Sequence, residues 1–165
     1  TDTVWGIGCD ATSAEAVNTI LKIKQRSESK SLIILVDSIE MLQMYVPKIP
    51  TAIIDLLNNT SKPTTIIYNN PQGLAKNVVA LDNTVAVRVV QNEFCKQLIS
   101  AFGKPIVSTS ANISGNATPN SFKEIDNAIL DSVDYIVNLQ REAVNDKSST
   151  ILKVDDTGKI IALRH

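Results

Sequence analysis

Three groups of residues carry side chains able to bind or transform a charged small molecule. Arg88 stands inside Val85-Ala86-Val87-Arg88-Val89-Val90, a run of strand formers. A guanidinium there must face solvent or meet a partner, because burying its charge alone is costly. Alternation places it on the face of Ala86 and Val90, opposite Val85, Val87 and Val89. It reads either as a solvated-face arginine or as an anchor gripping a carboxylate or phosphate through two parallel hydrogen bonds. The second group is Ser108-Thr109-Ser110-Ala111-Asn112-Ile113-Ser114-Gly115, directly after the apolar run Pro105-Ile106-Val107. Small hydroxyl and amide side chains let a ligand approach the backbone and offer uncharged, directional hydrogen bonds. The same composition also suits a turn that satisfies only its own backbone. Third, Lys22, Lys24, Arg26 and Lys30 gather at the end of a helical pattern. They either complement the negative end of the helix dipole or, through Lys24, Arg26 and Lys30, reach toward a nucleotide's phosphates.

The rest of the composition narrows the chemistry. The single histidine is His165, the last of 165 residues, so a histidine base or a site of several imidazoles would need a partner chain. Two cysteines, Cys9 and Cys95, are too few for a disulfide framework or a four-thiolate metal site, and read as free thiols of a reducing, cytoplasmic compartment. Neither G-x-x-x-x-G-K-[ST] nor G-x-G-x-x-G occurs, so a nucleotide would be held differently from the P-loop and Rossmann modes. Sixteen Lys+Arg against seventeen Asp+Glu give no overall attraction for a polyanion, although a local basic patch stays open. No apolar stretch has the length of a membrane span. What remains is a site of Arg, Lys and hydroxyls suited to aligning anionic substrates and stabilising charge, as in nucleotidyl transfer.

These groups need elements to position them. Strand-like runs occur at Ser31–Val36, Thr64–Tyr68, Thr84–Val90, Pro105–Thr109, Tyr135–Asn138, Thr150–Val154 and Lys159–Leu163. Helical spacing appears over Ala14–Arg26, Ile39–Tyr45, Ile49–Asn59, Gln91–Phe102 (Phe94, Leu98 and Phe102 in register) and Ser121–Leu130, which opens with a Ser121/Glu124 capping box. Helices interleaved with strands, and a closing hairpin, predict an α/β single domain with a mixed sheet. Asn69–Asn83 has no evident pattern and is expected as a surface loop. The opening Thr1-Asp2-Thr3-Val4-Trp5-Gly6 reads as the interior of a structured segment, which raises the expectation of a trimmed N-terminus.

The order of the pieces resembles the YrdC-like threonylcarbamoyl-AMP synthase family. Thr1-Asp2-Thr3-Val4-Trp5-Gly6-Ile7-Gly8 is similar to its P-T-[DE]-T-V-[YW]-G-[IL]-G segment, and Lys24-Gln25-Arg26 to its K-x-R. Thr84-Val85-Ala86-Val87-Arg88, Ser108-Thr109-Ser110-Ala111-Asn112 with Ser114-Gly115, Ser149-Thr150-Ile151 and Leu163-Arg164 follow its later signatures in order. On this alignment the family's leading proline and strand precede Thr1. The chain departs from the pattern at Ser61-Lys62-Pro63-Thr64-Thr65, which keeps the middle proline and the threonine of P-G-P-x-T. Further departures are Ser148 for a proline, Ser27 after K-x-R, and Leu35 where some relatives place a histidine.

The resemblance implies a YrdC-like fold, a twisted mixed β-sheet with flanking helices around a positively charged cavity. It also implies an activity: L-threonine, bicarbonate and ATP give threonylcarbamoyl-AMP and pyrophosphate, for the threonylcarbamoyladenosine modification of tRNA. Threonine would be held by Thr3, Thr84, Arg88, Ser108 and Ser149, with Arg88 on its carboxylate. The nucleotide would meet Arg26, Lys30, Ser110, Asn112, Thr118 and Arg164, with Lys24 and Arg26 as the catalytic cations. Magnesium would arrive with ATP, bound by phosphate oxygens and water. Expected partners are these substrates, with tRNA or tRNA-modification proteins, and no membrane. Two other readings stay open: a YrdC-like module binding RNA or a nucleotide without this activity, and a carbamoyl transferase with another acceptor.

Overall fold

Branched and aromatic residues pair into a seven-stranded mixed sheet in the computed structural model, which describes residues 1–26, 32–145, 148–155 and 159–164. The strands are β1 (Gly6–Asp10), β2 (Ile33–Val36), β3 (Thr64–Asn69), β4 (Thr84–Val89), β5 (Ile106–Ser110), β6 (Thr150–Val154) and β7 (Ile160–Arg164), in the spatial order β1-β5-β2-β4-β3-β6-β7. The β2–β4 and β3–β6 pairs are parallel and the others antiparallel, including the expected β6–β7 hairpin. The helices are α1 (Ala14–Ile23), α2 (Ile39–Tyr45), α3 (Thr51–Asn59), α4 (Glu93–Phe102) and the single turn α5 (Asn127–Leu130).

Alternation along each strand separates two faces. Ile34, Ile66, Val87, Val107 and Leu152 point to one, where Val17 and Leu21 of α1, Leu42 of α2 and Ile53 of α3 cover them. Burying each such side chain contributes about 1.5–3 kcal/mol. On the other face α4 packs near the sheet's centre, its Cys95 and Ile99 against Leu35 and Val90. Beyond α4 this second face carries exposed Gly6 and Gly8 and half-buried Ile33, Ile67, Ser108 and Ser110.

Four expectations need correction. Tyr135–Asn138 forms no strand: strand composition alone does not supply a ladder partner, the segment pairs with none of the seven strands, and Tyr135 stays exposed. The Ser121–Leu130 helix breaks in two, a 3₁₀ turn at Phe122–Glu124 and then α5. Glu124 accepts from the Asn120 amide (2.9 Å) and the Ser121 hydroxyl (3.0 Å), and Asp126 then caps α5 at the Ala128 amide (2.8 Å). The segment between β3 and β4 is more than a surface loop: Ala75 and Val78 are buried in the main core, and the Ala75 amide donates to the Ala11 carbonyl (3.0 Å). On α4 the regular Phe94–Leu98–Phe102 stripe faces outward, while Cys95 and Ile99 face the sheet. A strand was also missed. β1 has glycine at alternate positions because its partner runs too close: a Cβ on Gly8 would collide with the Val107 carbonyl oxygen, and one on Gly6 would lie 2.9 Å from that of Thr109.

Candidate active site

Arg88 lies on the central strand, with three strands on either side. Register aligns it with Leu35 on β2 and Thr65 on β3, Thr65 with Ile151 on β6, and Ile151 with Arg164 on β7. Paired residues share a face, so this row lies on the side opposite the three-helix layer. Leu35 is fully buried beside the arginine. Arg88 itself is 3% exposed, which decides between the two sequence readings: it is a buried, partnered cation. Its Nε faces the Asp2 carboxylate at 3.6 Å, Nη1 donates to the Thr3 hydroxyl and Nη2 to the Thr1 hydroxyl, both at a long 3.4 Å. Burial pulls its pKa down, Asp2 and then Cys95 offset part of that, and the nearby Arg164 adds to it.

Hydroxyls complete this end of the site. Ser149, buried just before β6, accepts from Thr65 Oγ1 (2.9 Å), and its carbonyl takes Arg164 Nε (3.1 Å) and Nη2 (2.9 Å). Thr3, Arg88 and Ser149, all expected around threonine, lie together with Thr65 and Asp2, and Arg164, expected on the nucleotide side, sits at this end on Ser149. Thr65 was visible as the threonine retained after Pro63, and Asp2 as the acid between two threonines, yet neither type announces a buried role. Thr84 goes elsewhere. It stands four residues back along β4, about 13 Å at the usual strand rise, and its hydroxyl donates to Asp82 (2.6 Å).

The second end forms where α1 stops and β5 ends. The Gln25 amide bonds Lys22 O and the Arg26 amide bonds Leu21 O, with Gln25 at φ 49°, a Schellman stop that turns the chain sharply after Lys24. The helix therefore ends at Ile23, short of the expected Arg26. Lys24, 1% exposed, extends its ammonium to Ser110 O, Asn112 O (2.7 Å) and Asn112 Oδ1 (3.3 Å), which uses all three donors on protein oxygens. The Ser110 hydroxyl donates to the same Asn112 Oδ1. Burial, with Arg26 adding like charge, holds Lys24 down at about 8, and burial also lowers Arg26. Lys24, Ser110 and Asn112 are thus one built unit with half-buried Arg26 following it. Ser108 lies two strands from β4, aligned with Ile33 and Gly8, on the floor between the two ends. Thr118 is exposed in the segment after β5, and Lys30 lies outside the described residues.

The half-covered sheet face thus carries a buried arginine at its centre and a lysine-braced turn at its end. The chain belongs to the Sua5/YciO/YrdC family, whose model, described as "Telomere recombination", matches residues 1–165. It is 36% identical over 140 residues to a threonylcarbamoyl-AMP synthase of Pseudoalteromonas translucida, covering 83% of this chain and 75% of that one. It is 31% identical over 162 residues to a threonylcarbamoyl-AMP synthase of Pseudomonas fluorescens, covering 98% and 86%. Among solved structures it superposes on P. abyssi Sua5 complexed with L-threonine at a TM-score of 0.86 and 27% identity, over 99% of this chain and 48% of that one. E. coli YciO shares the fold at a TM-score of 0.83 and 24% identity, over 100% and 80%. The chain therefore spans about half the length of the Sua5 chain it matches.

Proposed function

We propose that this chain is an L-threonylcarbamoyladenylate synthase, a nucleotidyltransferase. The observation that carries the reading is Arg88, a buried guanidinium whose two Nη groups make long contacts to hydroxyls, in a family whose relatives bear this name. A carboxylate suits that position better than a threonine hydroxyl does, because it accepts two charge-assisted bonds. On this reading L-threonine sits with its carboxylate on Arg88, within reach of the Thr3, Ser149 and Thr65 hydroxyls. Its amine and bicarbonate give a carbamate, with loss of water. A carbamate oxygen then attacks the α-phosphorus of ATP, and the bond to pyrophosphate breaks.

Such a displacement needs alignment and charge more than a nucleophilic side chain. Arg26 and Arg164 supply positive charge for the phosphates, and Ser110 and Asn112, braced by Lys24, present fixed dipoles. Lys24 contributes charge and order, since its own donors are spent within the protein. Lys30 and Thr118 extend the nucleotide side of this assignment. Magnesium enters as part of the MgATP substrate. No three carboxylate, thiolate or imidazole groups converge among the described residues, so its ligands on this reading are phosphate oxygens and water. The product serves tRNA threonylcarbamoyladenosine formation, and the chain works in the cytoplasm, where these substrates meet. Among the described residues no helix is long and apolar enough to cross a membrane.

The test is pyrophosphate release from MgATP and bicarbonate with and without L-threonine. Threonine-dependent release is expected. Calorimetric titrations with threonine and with ATP read binding separately, and absence of both release and threonine binding rejects the reading.

A further inference from the structure

Asp2 forms the ion pair with the buried arginine, and its geometry is unusual. Its carboxylate is 7% exposed. Oδ1 accepts from two successive amides, Gln91 N (3.0 Å) and Asn92 N (2.5 Å), at the turn leading from β4 into α4. Among the described residues Oδ2 makes no hydrogen bond, and it faces Arg88 Nε, likewise without a hydrogen-bond partner among them, at 3.6 Å. The two amides therefore fix the carboxylate, and the fixed carboxylate presents one oxygen to the edge of the guanidinium. The remaining edges, Nη1 and Nη2, point to the Thr3 and Thr1 hydroxyls.

A guanidinium grips a carboxylate in its plane, so its rotation must be fixed for a two-bond grip to be ready. We propose that Asp2 is a positioning residue that holds Arg88 by its Nε edge and leaves both Nη groups for the substrate carboxylate. The assignment rests on the threonine reading above for its substrate, and on the Asp2–Arg88 contact for its mechanism. Asp2 also balances charge. Its carboxylate offsets part of the positive charge that Arg88 and the nearby Arg164 bring together.

The experiment uses the full chain labelled with 15N-arginine, with Arg88→Lys assigning the Arg88 Nε–H signal. Asp2→Asn keeps an oxygen for the two amides and removes the charge facing Nε; Asp2→Ser is a second uncharged variant, and Asp2→Glu restores the charge. Circular dichroism and melting establish that each is folded. In both uncharged variants the Nε–H exchange with water is expected to speed up about ten-fold or more, and the threonine Kd to rise about ten-fold. The ATP Kd is expected to stay within about two-fold, and Asp2→Glu to recover both signals. Unchanged Nε–H exchange in the uncharged variants overturns the proposal, as does threonine binding that is unaltered or tighter. A wild-type chain that binds no threonine overturns the functional reading instead, while the exchange measurement still decides whether Asp2 holds Arg88.

Discussion

Thr65 on β3 donates its hydroxyl to Ser149 Oγ across 2.9 Å, and the two lie 84 positions apart, a span that includes the whole of β4, α4 and β5. The bond is buried, and Ser149 in turn holds Arg164 through its carbonyl, so one hydroxyl ties the centre of the sheet to its far edge. Thr65→Val keeps the shape and removes the donor. The expected cost is about 1–2 kcal/mol in urea unfolding, with threonine affinity reduced several-fold. Thr65→Ser should retain both, and a valine variant equal to wild type in affinity would remove Ser149 from the site.

Arg88→Ala should separate the two substrates. Loss of a desolvated carboxylate anchor is expected to weaken threonine binding by about 30-fold or more, a cost of about 2 kcal/mol or above. The ATP Kd should move by no more than about three-fold. Calorimetry on the same preparation reads both, and equal losses count against a carboxylate role.

Lys24 makes stability depend on pH with a definite sign. Its folded pKa is lowered to about 8 from the usual 10.5, so between those values the unfolded chain binds the extra proton. Stability from this group therefore rises as pH increases from about 8 toward 10.5, and below 8 the cost of burying the charge is fully present. Urea midpoints at pH 7.5 and 9.5 should show this increase on top of the wild-type background. Lys24→Met should lack it, and an identical pH dependence in the two proteins refutes the assignment.

Neighbouring residues on α4 should respond oppositely to truncation. Ile99 is fully buried against Leu35, whereas Leu98 is 44% exposed. Ile99→Ala is expected to cost about 3 kcal/mol and Leu98→Ala less than about 1 kcal/mol. Comparable losses in chemical denaturation would mean that the outward stripe is the packed one.

Gly8→Ala should be far more damaging than an alanine in an edge strand usually is. The added methyl meets a backbone oxygen of β5, which cannot rotate away. A loss of about 2 kcal/mol is expected, with a smaller loss for Gly6→Ala. An alanine variant as stable as wild type would show that β1 can shift off its partner.

Where side-chain alternation is strong, the residues alone locate the structure. Val85-Ala86-Val87-Arg88 placed the arginine on the correct face, and Ile39–Tyr45 was bounded as observed, since Ser38 caps its start and Val46 leaves the helical region at its end. Failures fall where long-range geometry decides. Tyr135–Asn138 has strand composition without a partner, and β1 has a partner without strand composition. The Phe94 stripe is periodic, yet only the sheet determines which side of α4 is inside. In the site, Arg88 with Ser149 and Lys24 with Asn112 were legible through the family resemblance. Asp2 and Thr65 were not, because common polar residues acquire such roles only through register, and Thr84 shared a motif with Arg88 while lying one strand length away.

The strand order has a temporal side. Only β3–β4 and β6–β7 pair as sequence neighbours, and the arginine at residue 88 depends on groups at residues 2, 3, 65, 149 and 164. A chain emerging from a ribosome exposes β4 long before β6 and β7 exist, so its buried cation must wait in water for the last strands to arrive. The cluster around Arg88 is then completed late, and a chain that ends before β6 lacks the Ser149 and Arg164 that close it, however much of the helical layer it has folded.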